Sequence, residues 1–310
     1  MIRVTTNGIL RGYKSNLMQA SNNVNDAREK VLTQRNFNSY AEDPAAATQA
    51  FQLRRAFWRT GDQLTNSNSI INKFESAWVA EETIINDLTN AQGKVAALQG
   101  ITGTAGAGRR PLGEVLNQAA QSIVQNLNVK YGGSFIFAGS DTQNVPFTWD
   151  NGKLLFRGID VNSTDPAEQK KLGDMAKETT YADVGIGMQE DAAGNLITSS
   201  AFNSALSGID FLGYGVDKDG DPKNVASIMK GLSDIFSKCD PNSGAFASAD
   251  DEKNADRLSD KLNAALGELT QKHTELDGKA QFIKTNQKRL TDAAASLNEE
   301  VLSIEKCDLA

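Results

Sequence analysis

With 310 residues the chain can form one large domain or two modest ones, with ample sequence to bury a core. A net charge of -7 and a pI near 5.0 argue against the basic face that a nucleic-acid binder presents. Two cysteines in unlike contexts, Cys239 and Cys307, exclude a disulfide framework and offer no metal or redox spacing, and no window approaches the roughly 18 apolar residues of a membrane span.

The N-terminus, Met1 to Gly8, has neither the apolar run nor the small-residue cleavage site of a secretory signal. From Leu10 a seven-residue beat begins, with Leu10, Leu17, Val24 and Val31 in step and Tyr13, Ala20 and Ala27 between them. A stripe this narrow, flanked by Asn, Ser, Arg and Lys, predicts a helix that needs a partner, because four heptads alone are marginally stable. It reads as an assembly element, the plain alternative being a first helix tucked onto its own domain.

Helical patterning breaks at Asn36 to Pro44. Glu42 and Asp43 before Pro44 predict a new helix start, with acid at the positive end of the helix dipole and proline in the first turn. That helix runs to about Leu98 with the stripe Leu64, Ile71, Phe74, Trp78, Ile85, Leu88, Ala91, Val95 and Leu98. Ile101 to Gly108 reads as a loop, and Pro111 opens a third helix carrying Leu112, Leu116, Ala119, Ile123 and Leu127.

The texture then changes. Ser134 to Ala138 and Lys153 to Arg157 are short strand candidates, and the Asn151-Gly152 pair signals a hairpin. A second hairpin is expected between Tyr181–Met188 and Asn195–Thr198, with short helices at Pro166–Ala176 and Val225–Phe236. Asp217-Lys218-Asp219-Gly220-Asp221 looks like the start of a calcium loop. The sixth and twelfth positions are Pro222 and Ile228 instead of glycine and glutamate, so a solvated turn is expected. The Gly185/Gly187 and Gly213/Gly215 pairs lack a third glycine and a dinucleotide-binding context.

Near the C-terminus Leu262, Leu269, Leu276, Ile283, Leu290, Leu297 and Ile304 stand seven apart without a miss. That repeat predicts a long helix with a packed seam, about 63 Å at 1.5 Å per residue. The single histidine, His273, lies on the seam with Gln287 and is read as a register-setting polar residue, since no second histidine exists to share a metal. The fold class expected is mainly α: an elongated antiparallel helical bundle with a small inserted α+β domain. The domains are residues 1–40 as a terminal assembly helix, 41–131 plus 251–310 as a discontinuous helical rod, and 132–250 as the insertion. No catalytic, cofactor or metal residues are assigned, so an enzyme is disfavoured. A hydrolase or binding protein with a helical stalk would need a concave polar site in 132–250.

The order of N-terminal heptad helix, Glu42-Asp43-Pro44 segment, long helix, insertion and C-terminal heptad helix resembles the flagellin superfamily. The run Phe135-Ile136-Phe137-Ala138-Gly139-Ser140, followed by Pro146-Phe147, resembles its hook-filament junction branch more than its filament flagellins, which remain the nearest alternative. The resemblance implies a non-enzymatic, extracellular flagellar subunit without a cofactor, exported unfolded through the flagellar type III apparatus and joining hook to filament. Its implied partners are its own copies, the proximal hook-associated protein, flagellin or the filament cap, and an export chaperone. It also implies that the closing segment, Asp308-Leu309-Ala310, continues into a further terminal helix that would pair with the first one, since the chain ends as a cut helix would.

Overall fold

The computed structural model describes the backbone of residues 6–101 and 103–307. The expectations for Met1 to Thr5, for Thr102 and for the Asp308–Ala310 segment therefore lie outside the described residues. The architecture is mainly α, as the periodicity requires: long helices joined by small antiparallel sheets. Helix α1 spans Thr6–Thr33, α2 Pro44–Leu98, α3 Arg109–Leu127 and α7 Ala249–Glu305. Between α3 and α7 lie the shorter helices α4 Pro166–Ala176, α5 Gly208–Leu212 and α6 Val225–Ser237.

The chain divides into two compact units, Met1–Thr65 with Lys288–Ala310, and Asn66–Gln287. In the first, the opening part of α2 lies along the closing part of α7. Ala50 on α2 and Leu290 and Val301 on α7 are buried, whereas Leu53, Phe57, Leu297 and Ile304 are half-buried. The seam thus weakens toward its end, because this unit holds few large apolar side chains to cover it.

In the second unit α2 and α7 run antiparallel. Glu75 pairs with Lys284 at 2.9 Å, Glu81 with His273 at 3.2 Å, and Gln99 with Asp256 at 3.2 Å, so rising numbers on one helix meet falling numbers on the other. Leu262, Leu269, Leu276 and Ile283 are buried in the seam against a core that includes Phe74, Ile84 and Leu88. Helix α3 packs closely on α6, and Gly113 makes that possible: a Cβ there would lie 3.0 Å from the Ser233 carbonyl oxygen and the Ser237 backbone nitrogen.

Residues 132–250, expected as an inserted domain, share this core. Phe137, Phe147, Leu154, Phe156 and Leu232 belong to the same apolar cluster as Phe74 and Leu262. Strands β3 Phe147–Asp150 and β4 Lys153–Phe156 form a hairpin, and β5 Ile159–Asp160 adds to its edge. The register sets Phe147 opposite Phe156 and Asp150 opposite Lys153. Asn151 and Gly152 both take positive φ, 49° and 80°, as a two-residue hairpin turn demands.

Two strand expectations are corrected. Only Ser134–Phe135 forms a strand, β2, paired with β1 Lys130–Tyr131. Ile136, Phe137 and Ala138 follow as a buried connector: Ile136 N–H donates to Val129, Gly139 N–H to Leu206 and Gly208 N–H to Phe137. Burial of five successive residues, Phe135 to Gly139, replaces the alternation expected of a strand. The second hairpin also pairs further out, Tyr181 with Asn203 and Ala182 with Phe202, as β6 Tyr181–Ala182 and β7 Phe202–Asn203. Phe202 anchors that register, its ring 5.9 Å from Phe74. The expected turn at residues 192–194 does form on a smaller scale: Glu190 and Leu196 bridge, Asp191 N–H donates to the Asn195 carbonyl at 2.8 Å and Ile197 N–H to the Gln189 carbonyl at 2.9 Å.

Candidate assembly interface

The first candidate is α1. Its described side chains are solvent-exposed along the whole helix, and Leu10, Leu17, Val24 and Val31 are 51 to 66% exposed. Ile9, Tyr13, Met18 and Leu32 add to the apolar surface. Scattered exposed apolar residues are ordinary, but a stripe that runs from Ile9 to Leu32 along one helix is left uncovered by the described residues.

The segment after α1 is tied down. Gln34 takes a left-handed φ of 55°, turning the chain out of the helix. Asn36 N–H then donates to the Glu305 carbonyl at 2.8 Å, and its side-chain amide donates to Ile304 and Lys306 at 3.0 and 2.8 Å. Cys307 N–H donates in return to Gln34 at 3.1 Å. These bonds satisfy carbonyls that the end of α7 would otherwise leave unpaired. Arg54 on α2 adds an ion pair with Glu305.

The Glu42-Asp43-Pro44 segment is a helix start, as its residue types required. Asp43 Oδ1 accepts from Ala45 and Ala46 N–H at 3.1 and 2.9 Å, and Pro44 occupies the first turn. Glu42 reaches back to Asn38 N–H at 2.9 Å and the Ser39 hydroxyl at 3.2 Å, closing the turn before α2.

The Phe135 to Phe147 run builds a buried corner of the second unit. Phe135, Phe137, Ala138 and Phe147 are buried, and Gly139 is suited to its place on two counts, a left-handed φ of 70° and the Glu178 carboxylate in the space a Cβ would fill. That carboxylate accepts from Ser140 N–H at 2.7 Å and from the Arg157 guanidinium at 2.7 and 2.9 Å. Burial alone would raise the Glu178 carboxyl, but Ser140 and Arg157 outweigh it and hold it below the usual range. The Pro146 carbonyl accepts from Arg157 N–H at 2.8 Å. Asn128 reads the Phe147 backbone both ways, donating to its carbonyl at 2.9 Å and accepting from its N–H at 3.1 Å.

The sequence reading missed Asn128, Arg157 and Glu178. A lone polar residue at the close of α3, and an arginine just past a strand, are faint cues that acquire meaning only when the chain folds back. The same holds for Arg109, buried with its guanidinium donating to Gly244, Leu98 and Ile101 carbonyls at 2.8, 3.0 and 2.6 Å. Phe246 covers it, the ring centre 4.5 Å from Cζ.

His273 is a seam residue with a partner. Its Nδ1 lies 3.2 Å from Glu81 Oε2, and Trp78 packs on its ring with centroids 4.9 Å apart. Burial raises the Glu81 carboxyl to about 8, Lys279 opposing and Asp210 adding to the rise. Burial likewise lowers the His273 imidazole. A cavity of about 150 Å³ beside Glu81 is lined by Phe137, Ser207, Asp210, Lys272 and Lys279 among others, with no histidine or cysteine among its lining residues. Lys272 is already engaged by Asp210 at 2.9 Å.

The acidic loop also finds its cation within the chain. Lys261 Nζ on α7 sits among Asp217, Asp219 and Asp221, pairing directly with Asp221 and at 3.6 Å from Asp219, while the Arg257 guanidinium holds Asp221 at 2.6 and 3.0 Å. The Lys261 hydrogen bond is the main reason that the Asp217 carboxyl falls to about 2. Among the described residues no group of three or more His, Cys, Asp and Glu side chains is placed to hold a metal ion.

No family model and no curated protein matches the chain. Solved structures do. One is a Vibrio parahaemolyticus chain assigned as a flagellar hook-associated protein, with a TM-score of 0.63 and 16% identity over 85% of this chain and 99% of that one. Another is Bacillus cereus FlgL, with a TM-score of 0.51 and 15% identity over 81% and 99%. A third is flagellar hook associated protein-3 from Legionella pneumophila, with a TM-score of 0.51 and 12% identity over 80% and 98%. At this identity the likeness is one of fold, and it extends over nearly the whole of each of those chains.

Proposed function

We propose that this chain is a structural subunit of the bacterial flagellum that joins hook to filament by self-association and helix packing. The observation that carries the reading is the apolar stripe of α1, exposed from end to end on a chain with the fold of flagellar hook-associated proteins. A helix that buries its stripe only against another molecule is an assembly element, and covering what these four aliphatic side chains still expose contributes roughly 3 to 7 kcal/mol before ordering costs.

In this reading residues 1–40 supply the assembly helix, 41–131 with 251–310 the discontinuous helical rod, and 132–250 the part freer to vary. The chain works outside the cell after type III export, as a non-enzymatic component without a cofactor. Its partners are its own copies, the proximal hook-associated protein, flagellin or the filament cap, and an export chaperone before secretion. The Glu42-Asp43-Pro44 segment starts the helix that follows α1 in the first unit, and the Phe135 to Phe147 corner is part of the buried framework of the second.

The test is deletion of the gene in its own bacterium, followed by complementation. Loss of filaments with monomeric flagellin shed into the medium is expected. The wild-type chain should restore filaments, and a Leu17→Asp, Val24→Asp variant should be exported yet fail to restore them. Normal filaments in the deletion strain would refute the reading.

A further inference from the structure

The first unit carries two more outward faces, distinct from α1. On α2, Phe51 and Trp58 stand seven apart and are 61% and 60% exposed, with Arg55 exposed between them. At 100° per residue the three lie within about 60° of the helix circumference, so they form one surface. Arg55 makes no ion pair among the described residues. Two bulky rings left in water beside an unpaired guanidinium are the composition of an interface centre.

On α7 the outward face is the converse. Asp292, Ala295, Ser296 and Glu299 are exposed within one stretch, small residues flanked by acids, and neither acid has an ion-pair partner among the described residues. Ala and Ser leave shallow holes that rings can enter, and the acids supply the charge that Arg55 lacks.

The two faces cannot satisfy each other within one molecule. Both helices turn their opposite sides inward, Ala50 and Phe57 on α2 and Leu290 and Val301 on α7, so the two outward faces point away from one another. An α2-to-α2 contact would set Arg55 near its own copy. We propose that the Phe51, Arg55 and Trp58 face of one copy docks on the Asp292, Ala295, Ser296 and Glu299 face of α7 in a second copy. Such a contact joins unlike surfaces, leaves one of each free, and therefore propagates into a closed ring or an open helical array. This rests on the self-association reading and adds its lateral contact.

The experiment uses the full chain. Association is followed by sedimentation velocity across a concentration series, with circular dichroism to confirm that each variant keeps its helix content. Arg55→Glu and Glu299→Arg should each weaken association at least about tenfold, and the double variant should regain most of that loss. Phe51→Ser with Trp58→Ser should weaken it further, and a photocrosslinker at position 58 should label residues 292–300 of another copy. Association unaffected by these changes, but abolished by Leu17→Asp with Val24→Asp, would overturn this contact and leave the proposed function standing. Labelling of α1 or of α2 in the second copy would overturn it as well. A wild-type chain that stays monomeric at every concentration would overturn both.

Discussion

Replacing Glu81 by Gln isolates one buried proton. The Glu81 side chain is 5% exposed, and its carboxyl titrates near 8 when folded against 4.5 as its ordinary value. Between those values the folded chain binds a proton that the unfolded chain has lost, so stability falls as pH rises from about 4.5 and levels off above about 8. The interval of about 3.5 units, at about 1.36 kcal/mol each, amounts to roughly 5 kcal/mol, of which about 3 is lost by pH 7. Burial lowers the His273 imidazole, so its contribution runs the other way, present above pH 6.5 and lost as pH falls. Gln keeps the shape, can donate to His273 Nδ1 and does not titrate. The stability difference between variant and wild type should therefore grow by several kcal/mol in the variant's favour between pH 5 and pH 9. Urea unfolding followed by tryptophan fluorescence reads it, and Trp78, packed on His273, reports locally. A difference constant to about 0.5 kcal/mol across that range would refute the reasoning, because Glu81 would then be ionised throughout.

Arg109→Met should destabilise the second unit by about 3 kcal/mol in urea unfolding, since three carbonyls lose a buried charged donor. Leu276→Asp places an unpaired charge in the seam and should cost several kcal/mol in the same assay, whereas Leu297→Asp, at a half-buried position, should cost less. Lys261→Met should raise the Asp217 carboxyl from about 2 toward its ordinary 3.8, which carboxyl NMR resonances followed against pH would show. In the wild type the stability contributed by Asp217 is present above pH 3.8 and lost as pH falls through 2, so the variant should lose that acid sensitivity. Limited proteolysis of the dilute chain should cut first between Leu10 and Val31, and protection there at low concentration would contradict the exposure of α1.

The long elements are legible in the order of residues, because helices write their own periodicity. Pro44 and the stripe to Leu98 mark α2 to its ends, and the seven-residue repeat from Leu262 marks α7. Local chemistry was equally legible: Asn151-Gly152 makes the hairpin it signals, and the short helices expected from Pro166 and Val225 start there, where the structure adds Asp165 and Asn224 as their caps. The stripe of α1 was readable as well, since a narrow apolar face says that a partner is needed. Which partner is absent from the chain's own fold is a matter of exposure, and only the structure decides that.

The remaining features depend on the folded chain, because they join residues far apart in sequence whose types carry no local signal. Phe202 sets the β6–β7 pairing through a ring contact with Phe74 in α2, against the nearer pairing that alternation suggested. Ile136 to Gly139 looks like the run of a strand, yet its backbone bonds go to residues 129, 206 and 208, and burial of each successive residue erases the period of two. Residues 132–250 change texture at their boundary without separating, since a core is drawn by contact and not by composition. The seven-residue beat gives Leu262 and Ile304 the same weight, but burial depends on what faces them: a full core in one unit and, in the other, a thin helix pair with little to cover its end.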